Sequence, residues 1–224
     1  VEVSELLAEL IEQVAVEARS SEFVDVKSGV SARLTISAYE NLVSQSYRRL
    51  LLSGEKKTLA RLADLYMVVP AINGKIELVY EGEQEGSVNV ARALIGSSIR
   101  TLSAKYFKNL EKKKKLKKEG VEDSAYGEIL NWFAENPKGL EVMHSDGDKE
   151  YKKKLLAVSG LEQAVLKQIP DLKGNDYRFV FMEFLLHGLA QFSQLDAKLV
   201  AGVGFQFNDI INGYFNFGEG DLLN

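Results

Sequence analysis

Residues 28–54 read SGVSARLTISAYENLVSQSYRRLLLSG. Within them Leu34, Ala38, Leu42, Val43, Tyr47, Leu50 and Leu51 recur at three- and four-residue spacing, the period of one apolar face on an α-helix. Ser31 stands where an N-cap hydroxyl belongs, and Ser53-Gly54 where a helix stops, because glycine enters the left-handed conformation at little cost. The stretch predicts a long amphipathic helix. A helix of this kind needs neighbours to cover its stripe, and the flanking sequence supplies them.

Upstream, Leu6, Leu7, Leu10, Ile11, Val14 and Ala18 mark a first helix running to about Arg19, and 20–29 is a loop. Downstream, Thr58 is placed to cap a third helix carrying Leu59, Leu62, Leu65 and Tyr66 and ending near Pro70 to Gly74. Residues 75–80 are too short to classify, and Gly82 to Gly86 reads as a turn. A fourth helix follows from Val88 to Phe107, with Ala91, Leu94, Ile95, Ile99 and Leu102 inward. The composition then changes. Glu111 to Asp123 holds Lys112, Lys113, Lys114, Lys115, Lys117 and Lys118 with two isolated apolar residues, a solvated linker that cannot bury a core.

Beyond it, helices are expected over Tyr126 to Asn136, over Lys149 to Ile169 with a break at Ser159-Gly160, and over Tyr177 to Phe192, which is apolar all round and therefore central. Phe205, Phe207, Ile210, Ile211, Tyr214 and Phe215 are read as a short closing helix. The expected fold class is mainly α: a small helical bundle over 1–108, a Lys-rich linker over 109–123, and a second all-α domain over 124–224. The chain begins at Val1, already inside a helical pattern with no cap ahead of it, as a piece cut from a longer protein would.

Composition narrows the function classes. Cysteine is absent, which removes disulfides and thiolate metal sites and fits a reducing compartment. A net charge of -4 gives no global attraction for nucleic acid or an anionic membrane. No apolar run reaches the ~18 residues of a membrane span, and no signal peptide is visible, so the cytoplasm is the expected location. Gly54-Glu55-Lys56-Lys57-Thr58 lacks phosphate-loop spacing and follows a helix instead of a strand. His144 and His187 have no partners at metal spacing, Asp146 and Asp148 sit in a turn too short for a calcium loop, and no nucleophile and base pair is visible. No catalytic and no metal-ligating residue is therefore assigned.

Arg33 is different. A cation in a helix's first turn is disfavoured by the macrodipole by ~0.3–1 kcal/mol when exposed, so Arg33 gains nothing there unless an anion is bound beside it. With phosphate present, guanidinium and terminal amides point at the same group. Read alone, Arg33 is either a solvated arginine or an anion contact.

A helix entered through Ser-Gly-x-Ser-x-Arg-Leu resembles the sensor-2 segment in the helical lid of AAA+ ATPases, particularly the magnesium-chelatase ATPase subunit and its bacterial relatives. The runs KSGVSARLTISAYENLVSQSYRRLLLSGEKKT (27–58) and INGKIELVYEGEQEG (72–86) resemble the C-terminal region of magnesium-chelatase-type proteins of Bacteroidetes-type bacteria. The likeness covers about residues 1 to 107 and is weaker beyond, mainly through FMEFLLHGL (181–189). It implies that Arg33 matches the lid arginine contacting the ATP γ-phosphate, and that ATP and Mg2+ belong to a preceding α/β domain. It implies neighbouring subunits in a ring and a further protein partner for the second domain. Walker A, Walker B, sensor 1 and the arginine finger of that family are absent here, so the chain alone is expected to hydrolyse no ATP and to hold no cofactor. Nucleic acid and membrane are not expected partners. Two alternatives stand beside this reading: the C-terminal region of an AAA+ transcriptional regulator, and a nucleotide-independent helical interaction module.

Overall fold

The computed structural model describes residues 1–25, 27–28, 30–111, 126–200 and 204–210. The chain divides into two compact units, Val1–Leu102 and Ser103–Asn224. The expected linker lies, from residue 112 on, outside the described residues. The described residues are mainly helical, as the periodicity predicts.

In the first unit, α1 (Glu5–Ser20) is capped by Ser4, whose hydroxyl accepts from the Leu7 amide, so the helix does have a start within this chain. Its buried face is Leu6, Leu7, Leu10, Ile11, Val14, Ala15 and Ala18. It packs on α2 (Arg33–Ser53), which ends at Gly54 with φ 69°, in the left-handed region that glycine tolerates. Two short helices, α3 (Leu62–Tyr66) and α4 (Val69–Asn73), close against α2. Next come α5 (Tyr80–Glu85), where a turn was expected, and α6 (Ser87–Tyr106), which buries Val90, Ala91, Leu94, Ile95, Ile99 and Leu102.

Two corrections concern α2 and α3. The predicted stripe put Tyr47 and Leu51 inside, yet they are 52% and 64% exposed, while Ser46 and Arg49 are buried in their place. Nor does Thr58 cap a helix: α3 starts four residues later, and the Thr58 hydroxyl takes a hydrogen bond from Arg49 Nη2 at 3.1 Å. Both differences have one cause. Arg49 reaches inward to pair with the buried Asp64 carboxylate, and its second nitrogen donates to Leu59 O at 2.6 Å. On an α-helix 46 and 49 fall within the face of Leu34, Ala38, Leu42 and Leu50, whereas 47 and 51 fall on the far side of it.

In the second unit the last residues of α6 precede α7 (Gly127–Glu135), β1 (Leu140–Met143), α8 (Asp148–Leu156), α9 (Leu161–Gln168), α10 (Tyr177–Gln191), β2 (Asp196–Val200) and β3 (Gly204–Asn208). The expected break between α8 and α9 is present, with Gly160 at φ 76°. α10 is the buried centre, as predicted, covered by α8, α9 and β2, with Tyr106 stacking edge-on to Phe181 at 5.4 Å.

The second domain is not all-α. A three-stranded antiparallel sheet runs in the order β1-β3-β2, with Leu140 opposite Phe207 and Val142 opposite Phe205. The residues expected to open a closing helix, Phe205 and Phe207, lie on β3 instead. Their apolar-polar-apolar alternation around Gln206 has a period of two, which puts both rings on one face of a strand and would split them across a helix. The remainder of that expected helix, from residue 211 on, lies outside the described residues.

Candidate functional site

The sequence singles out Arg33, and the structure places it as the first residue of α2, with its side chain exposed. Ser31 supports the turn before it: its hydroxyl accepts from the Arg33 amide at 3.2 Å, and its carbonyl accepts from the Leu34 amide at 2.9 Å. The formal cap position is Ala32, which has no side chain to offer, and the first turn of α2 carries no acidic residue. The positive end of this helix is thus left without a carboxylate of its own.

A second segment completes the site. Leu78 bridges Val24 antiparallel, the Asp25 amide donates to Glu77 O at 2.8 Å, and the Val79 amide donates to Phe23 O at 3.1 Å. These bonds lay the 75–79 stretch beside the loop that enters α2. Gly82 permits the approach, because a Cβ there would run into the Phe23 carbonyl. The result is a cleft of about 290 Å³ lined by Ser28, Ser31, Arg33, Gly74, Lys75, Ile76 and Glu77. Ile76 is buried; the polar residues around it are exposed. That volume is near the lower edge of the ~300–1,000 Å³ of small-molecule sites, room for a phosphate-sized group more than for a whole nucleotide.

Among the described residues neither Arg33 nor Lys75 is engaged in an ion pair. The acid in the cleft is partly tied back, since the Ser28 hydroxyl bridges Glu77 and Asp25. A guanidinium fork and an ammonium facing one space can bind phosphate oxygens. Lys75 escaped the sequence reading because its segment showed no periodicity; the nearest signal was its place directly after Gly74.

The other candidates stay apart. His144 is buried, and among the described residues no group of three His, Asp or Glu could hold a metal ion. His187 lies inside α10 with its ring edge-on to Phe205 at 4.5 Å and Phe207 at 4.9 Å, and burial pushes its pKa down to about 3. Glu183, one turn earlier, accepts a 2.8 Å hydrogen bond from Tyr151. The lowered folded value makes the unfolded chain bind the proton first. Stability from this group is therefore complete above the unfolded value of ~6.5 and falls as the pH drops toward about 3. At pH 5 the loss should be about 2 kcal/mol. Trp132, the chain's only tryptophan, reports on this unit, so its urea midpoint should fall between pH ~7 and ~5, and His187→Gln should flatten the fall.

No helix among the described residues is long and apolar enough to cross a membrane. Comparison with protein-family models, with curated proteins and with solved structures gives no match.

Proposed function

We propose that this chain is the lid and accessory region of a magnesium-chelatase-type AAA+ ATPase, in which Arg33 senses the terminal phosphate of ATP held by a preceding α/β domain. The observation that carries the reading is the exposed guanidinium at the start of α2, unopposed by any acid in that turn and sharing a cleft with Lys75. Closure of the lid over nucleotide would bring this cleft to the γ-phosphate; ATP and Mg2+ would be bound by the α/β domain, and the chain would not hydrolyse ATP by itself. The outer face of α2 presents Ile36, Tyr39, Tyr47 and Leu51, all exposed, within an arc of about 120° around the helix axis. A neighbouring ring subunit covering that face would gain apolar burial, which supports the partner-contacting part of the reading. The second unit is assigned to contact with a partner protein and to no reaction.

The test uses the longer protein to which the chain would belong. Arg33→Ala should lower steady-state ATP turnover about ten- to a hundredfold, below the thousandfold or more of an arginine aimed at the transferring phosphoryl group, because a lid arginine acts mainly through closure. The melting of the chain should barely move, an exposed substitution costing no more than about 0.5 kcal/mol. Unchanged turnover at saturating ATP, with assembly intact, would reject the sensing role.

A further inference from the structure

We infer that Lys75 is a second phosphate contact, forming with Arg33 a two-cation cradle, and that Glu77 holds its affinity down. The inference rests on the phosphate-sensing reading of the cleft and assigns it a residue and a regulation which that reading does not contain.

Arg33 opens α2 and Lys75 follows the end of α4, and both line the same cleft over the buried Ile76. Two like charges are brought to one small space by the backbone bonds between 23–25 and 77–79, not by any attraction of their own. An anion between them relieves that repulsion, the guanidinium offering a planar pair of donors and the ammonium a point charge. Glu77 opposes the same anion. Its carboxylate lines the same cleft and accepts from the Ser28 hydroxyl, which also lies 3.2 Å from Asp25 Oδ2. The ligand class is a terminal phosphate, with no surface in the cleft to read a base. A phosphate held by both cations would tie the start of α2 to the connection between α4 and α5, so that arrival or loss of the group is felt by two elements at once.

The experiment is an amide NMR titration of the purified chain at low ionic strength with tripolyphosphate, ATP and AMP as probes. Tripolyphosphate and ATP should shift the amides of 31–33 and 74–77 with equal affinity in the millimolar range, AMP more weakly. Arg33→Met and Lys75→Met should each weaken tripolyphosphate binding about two- to fivefold, as expected for exposed charges, and Glu77→Gln should strengthen it by a similar factor. All three positions are exposed, so the variants should keep the dispersion of the parent spectrum. Weakening by Arg33→Met but not by Lys75→Met would overturn the inference and leave the sensing role of Arg33 standing. Shifts spread over other lysines, or none at the cleft, would overturn it as well, whereas the sensing role itself falls only if ATP turnover in the longer protein ignores Arg33.

Discussion

Asp64→Ala should destabilise the first unit by about 3–5 kcal/mol, a large part of the ~5–15 kcal/mol that holds a typical domain together. The Asp64 carboxylate has no solvent exposure, pairs with Arg49, and accepts from the Ser46 hydroxyl at 2.9 Å and the Arg61 amide at 2.8 Å. Arg49 is 1% exposed, and Arg61 beside it is buried too. Deleting the carboxylate leaves the Arg49 guanidinium in a low-dielectric interior with the neutral acceptors Thr58 Oγ1 and Leu59 O. Asp64→Asn keeps part of the hydrogen bonding and none of the charge, so it should fall between the two. The pair itself is worth much less than its disruption: Arg49→Met with Asp64→Leu should recover most of the loss, because desolvating two ions cancels most of their attraction. Urea unfolding followed by amide exchange in α2 and α3 measures all three. A loss under about 1 kcal/mol for Asp64→Ala would mean that water reaches the network.

Gly139→Ala should cost the second unit about 3 kcal/mol or more, from two effects that act together. Gly139 has φ 61°, which an L side chain adopts at a penalty of ~1–2 kcal/mol. Its added Cβ would also run into the Phe207 carbonyl and the Asn208 side chain, and Phe207 lies on the central strand opposite Leu140. Either β1 moves away from β3 or the chain before β1 is redrawn. Gly174 is the internal control: its φ is 77°, nothing lies within 4 Å of a Cβ, and Gly174→Ala should cost only ~1 kcal/mol. Trp132 fluorescence against urea compares them directly, and equal midpoints would show that the strand yields freely.

Helical periodicity made the long elements legible. α1, α2 and α6 follow from apolar spacing, and the burial of α10 on most sides follows from apolar residues all round it. The failures share a different feature: in each, the deciding partner is remote in sequence. Arg49 counts as outward-facing until Asp64, fifteen residues on, is seen to meet it. Phe205 and Phe207 continue into further aromatics and read as one helix until the strands that pair with them, starting at Leu140 and Asp196, are seen. At the cleft the same holds. Arg33 and Ser31 announce themselves locally, whereas Lys75 joins them only through the pairing of 23–25 with 77–79, which no short window of sequence contains.

The order β1-β3-β2 also sets a timetable for a chain made from its N-terminus. β1 and β2 pair with β3 and not with each other, so Met143 waits for Gly204, roughly sixty residues later. At ~5–20 residues per second that is an interval of several seconds on the ribosome, and in its last part, once Gln191 has been added, α10 is complete while the aromatic cover of His187, from Phe205 and Phe207, is not. The nascent second unit therefore passes through a stage in which α10 is made and its sheet is not, and the apolar surface left open then is what holding chaperones recognise.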